Sequence, residues 1–123
     1  MPYASLLAAT DKASLLLRAM ANERRLAVLC HLCEREHSVN ELCRLVGLSQ
    51  SALSQHLAKL RRDKLVTTRR SAQTVYYSVA SPEVGPLLRA LSEIFGSPDA
   101  LERERLRGAE RIAQGARWGK SDI

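Results

Sequence analysis

The chain has 123 residues, a length that suits one compact domain with short tails better than two independent domains. Its 19 basic and 13 acidic residues give a formal charge of +6, and this excess favours a polyanionic partner. No stretch approaches the roughly 18 to 20 apolar residues of a membrane span, and no secretory signal is evident, so we expect a cytoplasmic protein. Three cysteines, an odd number, argue against a disulfide framework and predict reduced thiols.

The first forty residues predict two helices. Residues 4–20 combine leucines and alanines in a helical composition whose apolar surface exceeds what a small domain would bury, so we expect a partner subunit to cover part of it. Asn22 can cap a second helix that runs to about Glu36. We expect a buried stripe on this helix because four of its apolar residues have i, i+3, i+4, i+7 spacing. They are Leu26, Leu29, Cys30 and Cys33.

Two further helices follow with almost no loop between them. Ser38 and Glu41 form a capping-box pattern that begins a third helix, and Gly47 suits the left-handed residue that ends it. Ser49 can cap the next helix only two positions later, so the two helices must cross at a steep angle. The third helix is expected to bury the stripe Val39, Leu42, Cys43 and Val46.

The fourth helix has one apolar and one polar face. Leu53, Leu57 and Leu60 are spaced to be buried together. The remaining positions point outward and are rich in amide, hydroxyl and basic groups: Gln50, Ser51, Ser54, Gln55, Ala58, Lys59, Arg61 and Arg62. A capped helix, a tight turn and a second helix of this kind are typical of a helix-turn-helix.

After Asp63 the pattern changes to strands. Residues 65–70 and 74–79 are rich in β-branched and aromatic residues and flank a short polar break, which predicts a β-hairpin with a basic approach to its tip. Ser81, Pro82 and Glu83 then carry the start signals of a last helix. Its apolar stripe is Val84, Leu87, Leu88, Leu91, Ile94 and Phe95, which we expect to pair with another chain.

These elements predict a mainly α fold with a small β-hairpin, a winged helix-turn-helix, over residues 1–96. Residues 97–123 are predicted to be a charged extension, either a frayed helix or disordered. In such a fold the fourth helix can enter the DNA major groove, where glutamine amides match an adenine edge and serine hydroxyls serve bases or phosphates. The alternative is that this polar helix face is merely solvated.

We predict thirteen DNA-contacting residues on the fourth helix and the hairpin. The arginines among them would bind the phosphate backbone. They are Ser49, Gln50, Ser51, Ser54, Gln55, Lys59, Arg61, Arg62, Arg69 and Arg70, together with His56, Gln73 and Thr74, which are included because of the family resemblance described next.

Three runs carry a family resemblance: ANERRLAVLCHL, then LSQSALSQHLAKLRRDKLV, then TVYYSV. They resemble the ArsR/SmtB family of bacterial winged-helix repressors, in particular its HlyU, BigR and SqrR branch, over about residues 13–95. The resemblance implies a homodimer joined through the first and last helices. It also implies a two-fold symmetric operator in double-stranded DNA, which the dimer leaves when an inducer is sensed.

The resemblance also bears on what is sensed. Arsenic-sensing members carry a Cys-x-Cys-x-x-Cys cluster of which this chain matches only Cys43, since Ser38 and Asn40 stand at the other two positions. The zinc ligands of the last helix are absent as well. In the sulfur-sensing branch a thiol at the position of Cys43 pairs with one near the end of the last helix, where this chain has Phe95 and Gly96.

Cys43 is therefore the first thiol-sensing candidate, with a reactive sulfur species or an oxidant as the inducer, acting alone or with Cys30 or Cys33. An arsenite response is less favoured. Cys30 and Cys33 form a Cys-x-x-Cys pair, for which burial as small apolar groups is the favoured interpretation and a thiol redox protein the other. A constitutive regulator or antirepressor without a switch also stays open. We predict no enzyme, no metal site and no cofactor, because no catalytic set or phosphate loop is evident.

Overall fold

The computed structural model describes residues 1–96, 102–103 and 105–108. Its helices and strands, in chain order, are α1 (Ala4–Leu7), α2 (Thr10–Met20), α3 (Glu23–Glu34), β1 (His37–Ser38), α4 (Val39–Val46), α5 (Gln50–Arg62), β2 (Val66–Ser71), β3 (Thr74–Val79) and α6 (Val84–Phe95). Met1–Gly85 form one compact unit, and a second unit begins at Pro86. The predicted winged helix-turn-helix, mainly α with a small hairpin, is confirmed.

The ends of the described chain differ from the sequence-based prediction. The single helix expected over 4–20 is two helices, because the Ala9 N–H bonds only three residues back to the Leu6 carbonyl (2.9 Å) and ends α1. The last helix begins at Val84, since the Ser81 hydroxyl donates to the Glu83 carboxylate (2.7 Å) within the preceding turn. In the predicted extension, the described residues 102–103 and 105–108 are helical, and the rest of that prediction lies outside the described residues.

The buried face of α3 is not the predicted one. Val28, Leu29 and Leu32 are buried, whereas Cys30 and Cys33 are exposed, so the expectation that both cysteines face the core is wrong. The actual stripe includes Arg25, whose Nε donates to the Ala19 carbonyl (2.7 Å). The sequence pattern did not indicate this stripe, because an arginine ordinarily lies on a solvated face and here it is part-buried.

The helix-turn-helix is held by a leucine core and by the predicted caps. Leu53, Leu57 and Leu60 are 0 to 1% exposed, and Leu42 of α4 is fully buried. The capping box is formed in both directions, with 3.2 Å from the Glu41 amide to Ser38 Oγ and 2.9 Å from the Ser38 amide to Glu41 Oε1. The hydrogen bond from the Ser38 amide is the first cause of a Glu41 pKa lowered to about 2, and the hydrogen bond from Arg35 is the second.

The hairpin lies in a three-stranded antiparallel sheet of order β1-β3-β2. Ser71 pairs with Thr74, so the connection is the two residues Ala72 and Gln73. The short strand β1 was not predicted, because two residues carry no alternation that a sequence could display. It pairs with β3 through His37 and Tyr77 and thereby joins the start of α4 to the hairpin.

Two helix ends adopt the left-handed conformation with different residues. Gly47 has φ of 69° after α4, and Lys64 has φ of 64° after α5. The Lys64 end is a Schellman arrangement, in which the Leu65 amide bonds the Leu60 carbonyl (2.9 Å) and the Lys64 amide bonds that of Arg61 (3.0 Å). Glycine adopts this conformation without strain, whereas a side chain is strained in it.

We therefore expect opposite effects on stability from two substitutions at these helix ends. Gly47→Ala should lower the free energy of unfolding by about 1 kcal/mol, because no atom lies within 4 Å of the added Cβ and only backbone strain enters. Lys64→Gly should raise it by up to about 1 kcal/mol, since the strain is relieved. Urea denaturation measures both, and a destabilising Lys64→Gly would contradict this account.

Candidate nucleic-acid interface

The outward face of α5 is a continuous polar surface. The Ser49 hydroxyl accepts from the Ala52 amide (3.1 Å) and so begins the helix. Gln50, Ser51, Ser54 and Gln55 are all exposed, and no hydrogen bond within the described residues engages their side chains. Positions 51, 54, 55 and 58 share one side of the helix by their spacing. Four free amide and hydroxyl side chains are thus presented together, while Ser49 serves as a cap.

An arginine for which the sequence indicated no role connects α3 to the end of α4, the helix that leads into α5. Arg24 Nη1 donates to the Val46 carbonyl (2.8 Å) and so ties the start of α3 to the end of α4, directly before the turn. The Asn22 side chain accepts from the Arg24 and Arg25 amides (2.9 and 3.0 Å) and caps α3. The signal available in the sequence was the predicted cap at Asn22, which places Arg24 in the first turn but does not reveal its partner.

The predicted basic residues fall into two groups. Arg61, Arg62 and Arg70 are exposed, and no carboxylate of the described residues lies within ion-pair distance of them. Lys59 instead pairs with Asp63 (3.0 Å). Arg69 makes two hydrogen bonds to the Glu36 carboxylate (2.7 and 2.8 Å). The three arginines of the first group are available for phosphates without losing a partner.

Arg69 lies in the second half of β2, opposite Tyr76 and two positions before Ser71, the last residue of the strand. Its guanidinium lies 4.4 Å from the Tyr76 ring centroid, in addition to its two bonds to Glu36. The hydrogen bond from Arg69 is the largest cause of a lowered pKa for Glu36, and the reverse contact raises the pKa of Arg69. Both groups therefore stay charged in the ordinary pH range. To contact DNA, Arg69 would have to bind a phosphate in addition to the Glu36 carboxylate or in place of it.

His56 lies on the flank of α5 and is half-buried. Its pKa is lowered, first by burial and then by the positive charges of Arg25 and Arg24. The imidazole is consequently neutral at pH 7, where an unperturbed histidine would already be mostly uncharged. It can offer one donor and one acceptor to DNA but no fixed charge.

The tip of the hairpin adjoins the start of α5. Gln73 and Thr74 line a cleft of about 160 Å³ together with Gln50, and Ser38 and Asn40 at the start of α4 complete its polar wall. The predicted wing residues and the first residue of α5 are thus brought together, although more than twenty positions separate them in the sequence.

The three thiols differ in access. Cys30 and Cys33 are exposed on α3, and Cys43 is half-buried on α4. Partial burial raises the pKa of both α3 thiols, assisted by the Glu34 charge at Cys30 and by Cys30 at Cys33. Within residues 1–96, 102–103 and 105–108, no three histidine, cysteine or acidic side chains are grouped to hold a metal ion. No helix in the same part of the chain is long and apolar enough to cross a bilayer.

Comparison with known proteins gives a consistent assignment. Residues 22–68 match the family described as bacterial regulatory protein, arsR family. The chain is 57% identical over 84 residues to the transcriptional activator HlyU of Vibrio cholerae serotype O1, which covers 68% of this chain and 78% of that protein. The chain belongs to the ArsR family. The ArsR-family match contains α3, α4 and α5, the elements that present the polar face described above.

Solved structures of ArsR-family proteins agree with this fold. Reduced HlyU from Vibrio cholerae N16961 superposes with a TM-score of 0.70 at 52% identity, over 76% of this chain and 98% of that one. The transcriptional repressor BigR from Xylella fastidiosa gives a TM-score of 0.74 at 33% identity, over 77% and 97% respectively. The resemblance to the HlyU and BigR branch is confirmed, and the protein is a DNA-binding transcriptional regulator.

Proposed function

We propose that this ArsR-family protein acts in the cytoplasm as a homodimer that binds an inverted-repeat operator and represses transcription. Each α5 would enter the major groove, with the β2–β3 hairpin as the wing. The observation that carries the proposal is the polar face of α5, whose exposed amides and hydroxyls lie beside arginines that have no carboxylate partner among the described residues. Relatives include both an activator and a repressor by name. Whether this chain represses or activates would therefore depend on where its operator lies within the promoter.

Exposed apolar side chains support the homodimer. Leu6, Leu7, Leu15 and Leu17 on α1 and α2 are each at least half exposed. A largely apolar groove of about 590 Å³ runs along the same helices. Within α6, Ile94 and Phe95 are 55% and 62% exposed. Apolar surface on this scale favours association, and an identical chain would place two α5 helices in register with a two-fold operator.

The proposed switch is modification of Cys43 by a reactive sulfur species or an oxidant. Cys43 is half-buried on α4, and its carbonyl accepts the Gly47 and Leu48 amides (2.9 and 3.2 Å) in the turn before α5. Added atoms on this half-buried side chain would disturb the packing of α4, the helix whose last turn leads into α5. The alternative, a constitutive regulator, is favoured by Phe95 and Gly96 at the place of a second thiol. Operator titrations before and after persulfide treatment, with Cys43→Ser as control, separate the two.

Selection from a random duplex library tests the DNA-binding proposal. We expect an enriched inverted repeat whose half-sites are centred about one helical turn apart, bound by two chains. With that duplex, Arg61→Gln/Arg62→Gln should reduce the slope of log affinity against log salt by about 0.9 per phosphate contact, or roughly 3.6 for a dimer. Fluorescence anisotropy measures the slope.

The matched control removes the same charge elsewhere. Arg18→Gln/Arg89→Gln alters two exposed arginines outside the predicted site and should leave the slope nearly unchanged. Equal slopes for the two double variants would contradict the assignment of Arg61 and Arg62. Recovery of no preferred sequence from the library would contradict the operator itself.

A further inference from the structure

Two exposed thiols lie one helical turn apart on the outer side of α3. Cys30 and Cys33 are separated by three residues and are exposed, whereas Val28, Leu29 and Leu32 of the same helix are buried. Side chains spaced i and i+3 on a helix have Cβ atoms about 5 to 6 Å apart. The two sulfurs therefore face the same solvent, within reach of one bound atom.

This spacing disfavours a direct disulfide. A disulfide requires Cβ atoms about 3.8 Å apart, so closing one would pull adjacent turns of α3 together against a packed core. A bridging metal relaxes that requirement, because two metal–thiolate bonds of about 2.3 Å allow the sulfurs to stand up to roughly 4.6 Å apart. Cys30 and Cys33 on an undistorted helix can therefore both bind one metal ion.

The surroundings decide which ion. Structural zinc takes four ligands, and the described residues contain no group of three or more suitable side chains. Glu34 is close enough to Cys30 for its charge to raise the pKa of that thiol, and its carboxylate is a hard oxygen donor. Thiolate ligands select soft cations, of which copper(I) is satisfied by two sulfurs in a linear arrangement.

We propose that Cys30 and Cys33 form a two-thiolate binding site for a soft monovalent cation of the copper(I) type. The inference goes beyond the proposed function, because reading DNA uses neither thiol. On binding, each S–H bond breaks and each sulfur forms one bond to the metal. Copper(I) and two thiols thus give a bis-thiolate complex of charge −1 and release two protons, with no change of oxidation state.

Proton release makes the affinity depend on pH. The pKa of an ordinary thiol, about 8.5, lies above neutral pH, so both thiols are protonated near pH 7 and each must lose a proton to bind. The affinity for copper(I) should then rise by up to about a hundredfold per pH unit below those pKa values, twice the logarithmic slope of a single thiol. A slope of about tenfold per unit would overturn a two-thiolate site.

Anaerobic titration of the full chain with copper(I), in competition with the chelator bicinchoninate, measures stoichiometry and affinity. We expect one ion per chain, with its ultraviolet thiolate-to-metal band. Cys30→Ser and Cys33→Ser should each weaken binding by at least a hundredfold, while Cys43→Ser binds like the unaltered chain. Circular dichroism checks that the variants are folded. We expect them to fold, because both substituted side chains are exposed.

Three results would overturn the proposal. The first is copper(I) binding that survives either α3 substitution. The second is binding that is lost in Cys43→Ser, which would move the site to α4. The third is binding too weak to compete with the chelator in the folded, reduced chain. Each readout is independent of DNA affinity.

Discussion

Ser54→Ala/Gln55→Ala should weaken operator binding by about 2 to 4 kcal/mol, or roughly 30- to 1000-fold, while non-specific DNA binding stays nearly constant. Both side chains are exposed on the outward face of α5, and no hydrogen bond within the described residues engages them. A glutamine amide that bonds an adenine edge contributes about 1 to 3 kcal/mol of discrimination, and alanine cannot replace it. The charge is unchanged, so the electrostatic part of the affinity remains.

Anisotropy titrations with the selected operator and with a scrambled duplex measure this difference. Ser92→Ala, which removes an exposed hydroxyl from α6, serves as the matched control and should affect neither titration. The assignment of α5 as the reading helix is refuted if the double variant binds the operator as tightly as the unaltered chain. Equal losses on both duplexes would instead indicate a general backbone role for these residues.

Leu57→Ala should lower the free energy of unfolding by about 3 kcal/mol, which is a large fraction of the stability of a small domain. Leu57 is 1% exposed and lies between Leu53 and Leu60 on the buried side of α5. Truncation leaves a cavity in a core that also supports α4, so the lost packing is not replaced by solvent. Operator binding should fail at temperatures at which the unaltered chain is still folded.

Leu45→Ala provides the control for that experiment. Leu45 is 47% exposed on α4, so the same change of side chain removes little buried surface and should cost less than about 1 kcal/mol. Urea denaturation of both variants at constant slope gives the comparison. Similar losses from the two substitutions would show that α5 does not pack through Leu57.

The helix-turn-helix could be predicted from sequence because its signals are local. Ser38 with Glu41, Gly47 and Ser49 lie within twelve positions, and each is explained by the backbone groups beside it. The face of α3 could not be predicted in the same way. Two overlapping stripes fit its period, and the tertiary contacts select between them: Val28 and Leu32 lie in the core, and Arg25 bonds to the end of α2.

The candidate interface shows the same division. Outward positions on α5 follow from the spacing of its leucines, and the structure leaves those side chains exposed as expected. The engagement of Arg69 by Glu36 joins residues 33 positions apart, and no pattern in either segment indicates it. From the sequence, Arg69 and Glu36 are each expected to be separate surface charges, whereas in the fold they form an ion pair. Whether the thirteen residues contact DNA stays a prediction.

The Arg69–Glu36 pair bears on how the protein would search a chromosome. A genome offers about a million or more competing non-specific sites, and free cations on the protein surface strengthen binding to those sites as well as to the operator. Glu36 keeps the charge of Arg69 neutralised in the unbound chain. The positive charge of Arg69 would become available to a phosphate only where the hairpin lies close enough to DNA for the phosphate to replace Glu36 as its partner. If Arg69 belongs to the interface, the pair would weaken binding to non-specific sequences more than binding to the operator.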